Sequence, residues 1–212
     1  MKAAIFDLDG TLLDSMGYWG NVTDKYLSRQ GIEVSKEDKE IIDSLTVVKA
    51  GEYIKKRFDL PFEPQTIEEG IIKTIESYYR FSIPLKSYVH LFLYKLKKRG
   101  VKMCIASASP RPLIENALMR HNIFNMFDFI ITSSEVGSEK RNSADIYEKA
   151  LEKLGEKKED TVVFEDAPYA VSTAKGAGFF VVGVYDNFYE EYQDEIKNNC
   201  DLYVNHLGEC KL

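Results

Sequence analysis

The chain has 212 residues, with 28 basic against 34 acidic side chains and a formal net charge of −6. Apolar residues make up 44% and charged residues 29%, a mix that supports a full-sized core and excludes a chain too polar to fold. Mild acidity with no block of like charge excludes the basic footprint that binding to a nucleic-acid phosphate backbone requires. At about 150 residues per domain, the length fits one large domain or a domain with a smaller insert. The longest apolar stretch, residues 177–185, is far too short to cross a bilayer. The first residues run into Asp7 and so lack the apolar region of a secretory signal. Cys104, Cys200 and Cys210 have no metal-ligand spacing and suit free thiols in a reducing compartment. The expectation is a cytoplasmic protein, monomeric, with neither a membrane nor a nucleic acid as partner.

In chain order, residues 2–6 form a short apolar run that reads as a buried strand. No strand pattern follows until residue 83. Instead there are helical spacings at Tyr18/Val22/Tyr26, Ile41/Ile42/Leu45, Ile54/Phe58 and Ile71/Ile75/Tyr78/Tyr79, with Pro61 and Pro64 breaking the segment near its middle. Nearly seventy residues is far more than one crossover helix needs. Val89, Phe92, Leu93 and Leu96 then mark a helix that closes on basic residues and Gly100. Strands at 101–106, 129–132, 161–164 and 179–184 alternate with helices at about 112–121, 144–154 and 169–175. Uninterrupted apolar strands suit a parallel sheet covered on both faces. The pattern predicts an α/β fold, a doubly wound parallel-sheet core over residues 1–14 plus 84–212, with an all-helical domain inserted over residues 15–83.

The first strand runs straight into Asp7-Leu8-Asp9-Gly10-Thr11. A turn begun at Asp9-Gly10 brings both carboxylates towards one cavity at the strand's C-terminal end, the edge where open α/β sheets bind ligands. Taken alone, the same residues also read as a plain turn with a capping acid. Ser107, ending the run Ile105-Ala106-Ser107, reads alone as a strand-end turn serine. Glu165-Asp166, after Val162-Val163-Phe164, read alone either as a helix cap or as a metal site.

In this order and spacing the motifs resemble the haloacid dehalogenase-like (HAD) superfamily, whose first motif is DxDGT after strand one. Residues 164–178 (FEDAPYAVSTAKGAG) are similar to that family's strand–acid–helix segment, and the helical insert resembles its C1 cap domain, as in phosphoglycolate-phosphatase-like and β-phosphoglucomutase-like members. The resemblance implies a Rossmann-like core and a phosphatase acting on a small phosphorylated metabolite. Asp7 is then the nucleophile, forming an aspartyl-phosphate, and Asp9 protonates the leaving alcohol and later takes a proton from water. Asp7, Asp166 and Glu165, with the Asp9 backbone carbonyl, hold Mg²⁺. Ser107 and a lysine grip the phosphoryl oxygens, with backbone N–H donors from Leu8 and Ala108.

Two places depart from the family pattern. A lysine four residues before the Asp145-Ile146-Tyr147 segment is the usual third motif, and here that position is Arg141, with Lys140 one further back. Lys140 is the preferred cation, because a compact ammonium fits between a phosphoryl group and a carboxylate better than a guanidinium fork; Arg141 is the alternative. Where β-phosphoglucomutases carry a histidine after the first motif, this chain has Trp19, which donates one hydrogen bond and cannot relay a proton. That favours hydrolysis over the competing reading, a phosphosugar mutase. Trp19 and Lys49 are the substrate candidates in the insert, each also readable as ordinary helix residues. A receiver-like signalling domain fits poorly, since its phosphoacceptor ends the third strand, where this chain has Thr132-Ser133-Ser134. Dehalogenation of carbon does not need the acidic fourth motif.

Overall fold

The structure is a computed structural model that describes residues 1–211 except 44 and 46, and omits the side chain of residue 43. The chain enters through β1 (Ala3–Phe6) and passes through α1 (Met16–Ser28), α2 (Lys36–Asp43), α3 (Val47–Phe58) and α4 (Pro64–Phe81). It continues through α5 (Val89–Lys98), β2 (Lys102–Ser107), α6 (Arg111–Arg120), β3 (Phe129–Thr132), α7 (Ser133–Val136), α8 (Asp145–Leu154) and β4 (Thr161–Glu165). The last elements are α9 (Pro168–Gly176), β5 (Phe180–Val184), α10 (Gln193–Asn199) and β6 (Leu202–Val204). These divide into two compact units, one comprising Met1–Met16 with Ile83–Leu212 and the other Gly17–Ser82.

The first unit is a six-stranded parallel sheet in the order β3-β2-β1-β4-β5-β6. Every side chain of β1 is fully buried, as a central strand covered on both faces requires. Successive residues alternate between the faces. Ala3 and Ile5 join Cys104, Ala106, Val163 and Val181 against Ile146, Tyr147 and Ala150 of α8 and Val171 and Ala174 of α9. On the other face Phe6 stacks on Phe164 with ring centroids 4.4 Å apart and meets the edges of Phe92 and Phe127. β6 is a strand that the hydropathy pattern missed: it has three residues at the sheet's edge, two of them only half-buried, too few to show a period. Leu45, grouped above with Ile41 and Ile42, lies beyond the end of α2.

The second unit is helical. Pro64 opens α4 at a position where its missing N–H costs nothing, and Ile67, Ile71, Ile75 and Tyr79 form its buried stripe. Gly70 admits the Tyr26 ring, since a Cβ there would lie 2.3 Å from it. Ser35 caps α2: its Oγ accepts from the Asp38 N–H (3.1 Å) and donates to Asp38 Oδ2 (2.9 Å). Asp38 Oδ1 accepts from Arg57 Nε and Tyr53 OH, each at 2.7 Å, which ties α2 to α3. The hydrogen bond from Arg57, and then that from Tyr53, hold Asp38 down at about 2. Its folded value lies below the unfolded value of about 3.9, so its contribution is present above that pH and is lost as pH falls towards 2. Melting temperatures of wild type and Asp38→Asn between pH 2 and 5 are expected to converge as pH falls; parallel curves would remove this role. Among the described residues no helix is long and apolar enough to cross a membrane.

Candidate active site

The strand order reverses at β1, with β2 on one side and β4 on the other, which makes the ends of β1 and β4 its switch point. Phe6 pairs with both Ile105 and Phe164, and the Asp7 N–H extends the ladder by donating to Phe164 O at 2.9 Å. Asp7 and Glu165 therefore stand level. Asp7 continues the row of Ala3 and Ile5, so its side chain leaves the sheet on the α8 side.

There it meets Lys140, five residues before α8 begins. Lys140 Nζ lies 2.5 Å from Asp7 Oδ1 and 2.7 Å from Glu165 Oε1. Tyr147, one turn into α8, donates its hydroxyl to the same Glu165 oxygen at 2.6 Å. All four side chains are buried. Asp166 follows on the next residue: its Oδ1 accepts from Thr11 Oγ1 at 3.0 Å, while its Oδ2 is buried without a protein hydrogen-bond partner.

Three carboxylates against one ammonium is an unbalanced set in a place with little water. Burial pushes Asp7 up to about 8; Lys140 pulls the other way, and Glu165 and Asp9 add to the rise. Burial, followed by Asp7, Glu165 and Asp186, raises Asp166 well above the usual carboxylate range. For Lys140 burial acts downwards, but Asp7 and Glu165 outweigh it and keep the ammonium protonated. Asp7, Glu165 and Asp166 each offer an oxygen within 4.8 Å of the others. Hard oxygen donors, surplus negative charge and an unpartnered Asp166 oxygen fit a divalent cation.

Gly10 is required here on two counts. Its φ is +88°, and a Cβ would stand 2.1 Å from Asp166 Oδ2.

The sequence profile of haloacid dehalogenase-like hydrolases matches residues 4–184. The chain belongs to this family. It is 29% identical over 188 residues to the bifunctional riboflavin kinase/FMN phosphatase of Arabidopsis thaliana; the match takes in 86% of this chain but only 48% of that protein, about half its length. It is 27% identical to the validoxylamine A 7'-phosphate phosphatase of Streptomyces hygroscopicus subsp. limoneus, over 86% of this chain and 85% of that one. The crystal structure of CbbY from Rhodobacter sphaeroides in complex with phosphate superposes with a TM-score of 0.83, 20% identity and coverage of 99% and 96% of the two chains; that likeness is one of fold.

Within this haloacid dehalogenase-like core, Asp9 directs its carboxylate to two hydroxyls, Ser15 Oγ at 2.7 Å and Ser109 Oγ at 2.6 Å. Ser107 is buried at the end of β2, and its Oγ accepts from the Ser109 N–H at 3.1 Å, closing a tight turn beneath exposed Ala108. The Leu8 carbonyl accepts from the N–H groups of Leu12 and Leu13, which winds the loop after β1. Lys140 reaches Asp7, whereas the Arg141 guanidinium lies over the Tyr169 ring, 4.2 Å from its centroid. Trp19 and Lys49 belong to the helical unit: the Trp19 indole N–H donates to Tyr79 OH at 2.9 Å, and Lys49 is exposed on α3. Sequence reasoning assigned no role to Tyr147, Thr11, Ser15 or Ser109. Tyr147 and Thr11 stand inside motifs already singled out, and Ser109 lies in the Ser107-Ala108-Ser109 stretch that keeps the mutase alternative open; Ser15 carried no signal.

Proposed function

We propose that the protein is a Mg²⁺-dependent phosphatase that hydrolyses a small phosphorylated metabolite through an aspartyl-phosphate on Asp7. The observation that carries this is the buried Lys140 ammonium between Asp7 and Glu165, beside an Asp166 oxygen without a protein partner. Related chains named as phosphatases of phosphorylated metabolites support the same reading.

Asp7 attacks phosphorus with the oxygen that Lys140 leaves free for it, and the ester P–O bond breaks as the new bond forms. Asp9, oriented by Ser15 and Ser109, gives its proton to the departing alkoxide. Water then attacks the phosphoryl group, Asp9 takes back a proton, and phosphate leaves with Asp7 restored. Ser107 and the N–H groups of Leu8 and Ala108 are the donors for the phosphoryl oxygens, where charge builds up. Glu165, held by Tyr147 and Lys140, fixes the lysine in place. A bound Mg²⁺, with Asp7, Asp166, Glu165 and the Asp9 carbonyl as its ligand set, supplies the positive charge that keeps adjacent carboxylates ionised and lets a phosphate approach them. The helical unit corresponds in this reading to the family's inserted cap.

Trp19 supports hydrolysis over mutase chemistry, because its one N–H is committed to Tyr79. The test is turnover of p-nitrophenyl phosphate and β-glucose 1-phosphate with Mg²⁺ and with EDTA. Mg²⁺-dependent release of inorganic phosphate from both is expected. Equal rates in EDTA would remove the metal, and glucose 6-phosphate formed without free phosphate would replace the phosphatase by a mutase.

A further inference from the structure

Lys86 stands outside every motif. Its backbone joins a short antiparallel contact: the Lys86 N–H donates to Leu12 O at 2.9 Å, the Asp14 N–H donates to Pro84 O at 3.0 Å, and Leu13 bridges Leu85. Its side chain is only 15% exposed. The ammonium donates to Gly10 O at 2.5 Å, to Tyr185 O and to Asp186 Oδ2 at 3.0 Å. Three acceptors use all three of its N–H bonds. Asp186 is itself 5% exposed and is held through Oδ1, which accepts from the Phe188 N–H at 2.9 Å. One side chain thus ties the turn after β1 to the loop after β5, on either side of Asp166 at the end of β4.

We propose that Lys86 is a positioning residue for the acidic centre, pinning the Gly10 turn so that Asp166 and the Asp9 backbone carbonyl stay in register to bind a divalent cation. This rests on the metal-dependent reading above. Position 10 must be glycine to let Asp166 Oδ2 come close, yet glycine is the residue least able to hold its own backbone conformation. Anchoring its carbonyl to a buried ammonium replaces that lost restraint. The Asp9 carbonyl belongs to the peptide unit that ends at the Gly10 nitrogen, so a turn that drifts moves the carbonyl with it. Mg²⁺ tolerates little error in its ligand geometry, and groups behind the ligands commonly change metal affinity by about 10–100-fold.

The experiment is direct Mn²⁺ binding to the metal-free protein, followed by the electron paramagnetic resonance signal of the free ion. Lys86→Met alone would leave Asp186 as a surplus negative charge that attracts a cation. The informative variant is therefore Lys86→Met/Asp186→Asn, which removes one positive and one negative charge and leaves the net charge unchanged. It is expected to bind Mn²⁺ about ten-fold or more weakly, whereas Lys86→Arg, which keeps a cation and its donors, stays within a few-fold of wild type. Circular dichroism and melting temperature report the fold separately. If the double variant does not fold, Lys86→Gln/Asp186→Asn, whose amides can pair with each other, carries the same expectation. Wild-type Mn²⁺ affinity in a folded double variant overturns the proposal. Asp166→Asn isolates the underlying reading: if it binds Mn²⁺ as wild type does, the metal centre itself fails.

Discussion

Asp7→Asn is expected to lower turnover of p-nitrophenyl phosphate by on the order of 10³-fold or more, because the amide cannot attack phosphorus and Glu165, the carboxylate level with it, is held by Lys140 and Tyr147. The fold should survive. Asparagine has the same shape, its amide oxygen can still accept from Lys140, and the change removes one of three buried carboxylates that crowd a single ammonium. Burial raises Asp7 to about 8 against the pull of Lys140, so its ionised form is a load on the metal-free protein at neutral pH. Without added metal, the melting temperature of Asp7→Asn at pH 7.5 is accordingly expected to equal or exceed that of wild type. Stability rising while activity disappears is the signature of a residue kept for chemistry. Steady-state rates and thermal melts on the same samples decide it. A variant that hydrolyses the ester at the wild-type rate would end Asp7's assignment as nucleophile.

Lys140→Met reverses the balance. It leaves Asp7 and Glu165 buried with no cation between them, and breaking a buried pair from one side costs about 3–5 kcal/mol. For a chain of this size that corresponds to about 6–20 °C in melting temperature. The loss should grow as pH rises above about 8, where the Asp7 carboxyl, without the pull of Lys140, has to ionise with no cation beside it. Turnover is expected to fall by about 10²–10³-fold, as for other preorganised charges facing a transferred group. Arg141→Met is the control. The Arg141 guanidinium lies over Tyr169 and not against Asp7, so its loss should change the rate by no more than a few-fold. Equal effects at the two positions would mean that the Lys140 contact with Asp7 has no catalytic consequence.

These two basic neighbours show where one-dimensional reading stops. Adjacent residues share composition, charge and loop context, and the spacing rule pointed to Arg141 while chemistry pointed to Lys140. Which of them turns inward depends on how the segment before α8 packs against the end of β1, a contact across 133 residues of chain. The paired acids were far more visible. Buried parallel strands must be apolar throughout, so a carboxylate at the end of such a run stands out. Asp7 stood out that way, whereas Glu165 and Asp166 read alone equally as a helix cap, and the family resemblance gave them their role. Thr11 and Tyr147, which hold Asp166 and Glu165, sit where any small polar or aromatic residue would look ordinary. Lys86 was invisible, one lysine among many, with partners 76 and 100 residues away. β6 was missed because an edge strand of three residues needs no apolar run.

The sequence by itself determined the class of fold and the order of its acidic motifs, because both follow from local rules: burial on two faces sets the strand pattern, and a strand's end faces the ligand edge. The helical stretch after β1 was legible for the same reason, through spacings of three and four. Only the tertiary structure decided which side chains close around those acids. It placed the Lys140 ammonium between Asp7 and Glu165, left one Asp166 oxygen without a protein partner, and set the Asp9 carboxylate between two serines. Hydrogen bonds and the contacts of ion pairs close at about 3 Å, and that distance is reached by packing segments that lie far apart along the chain.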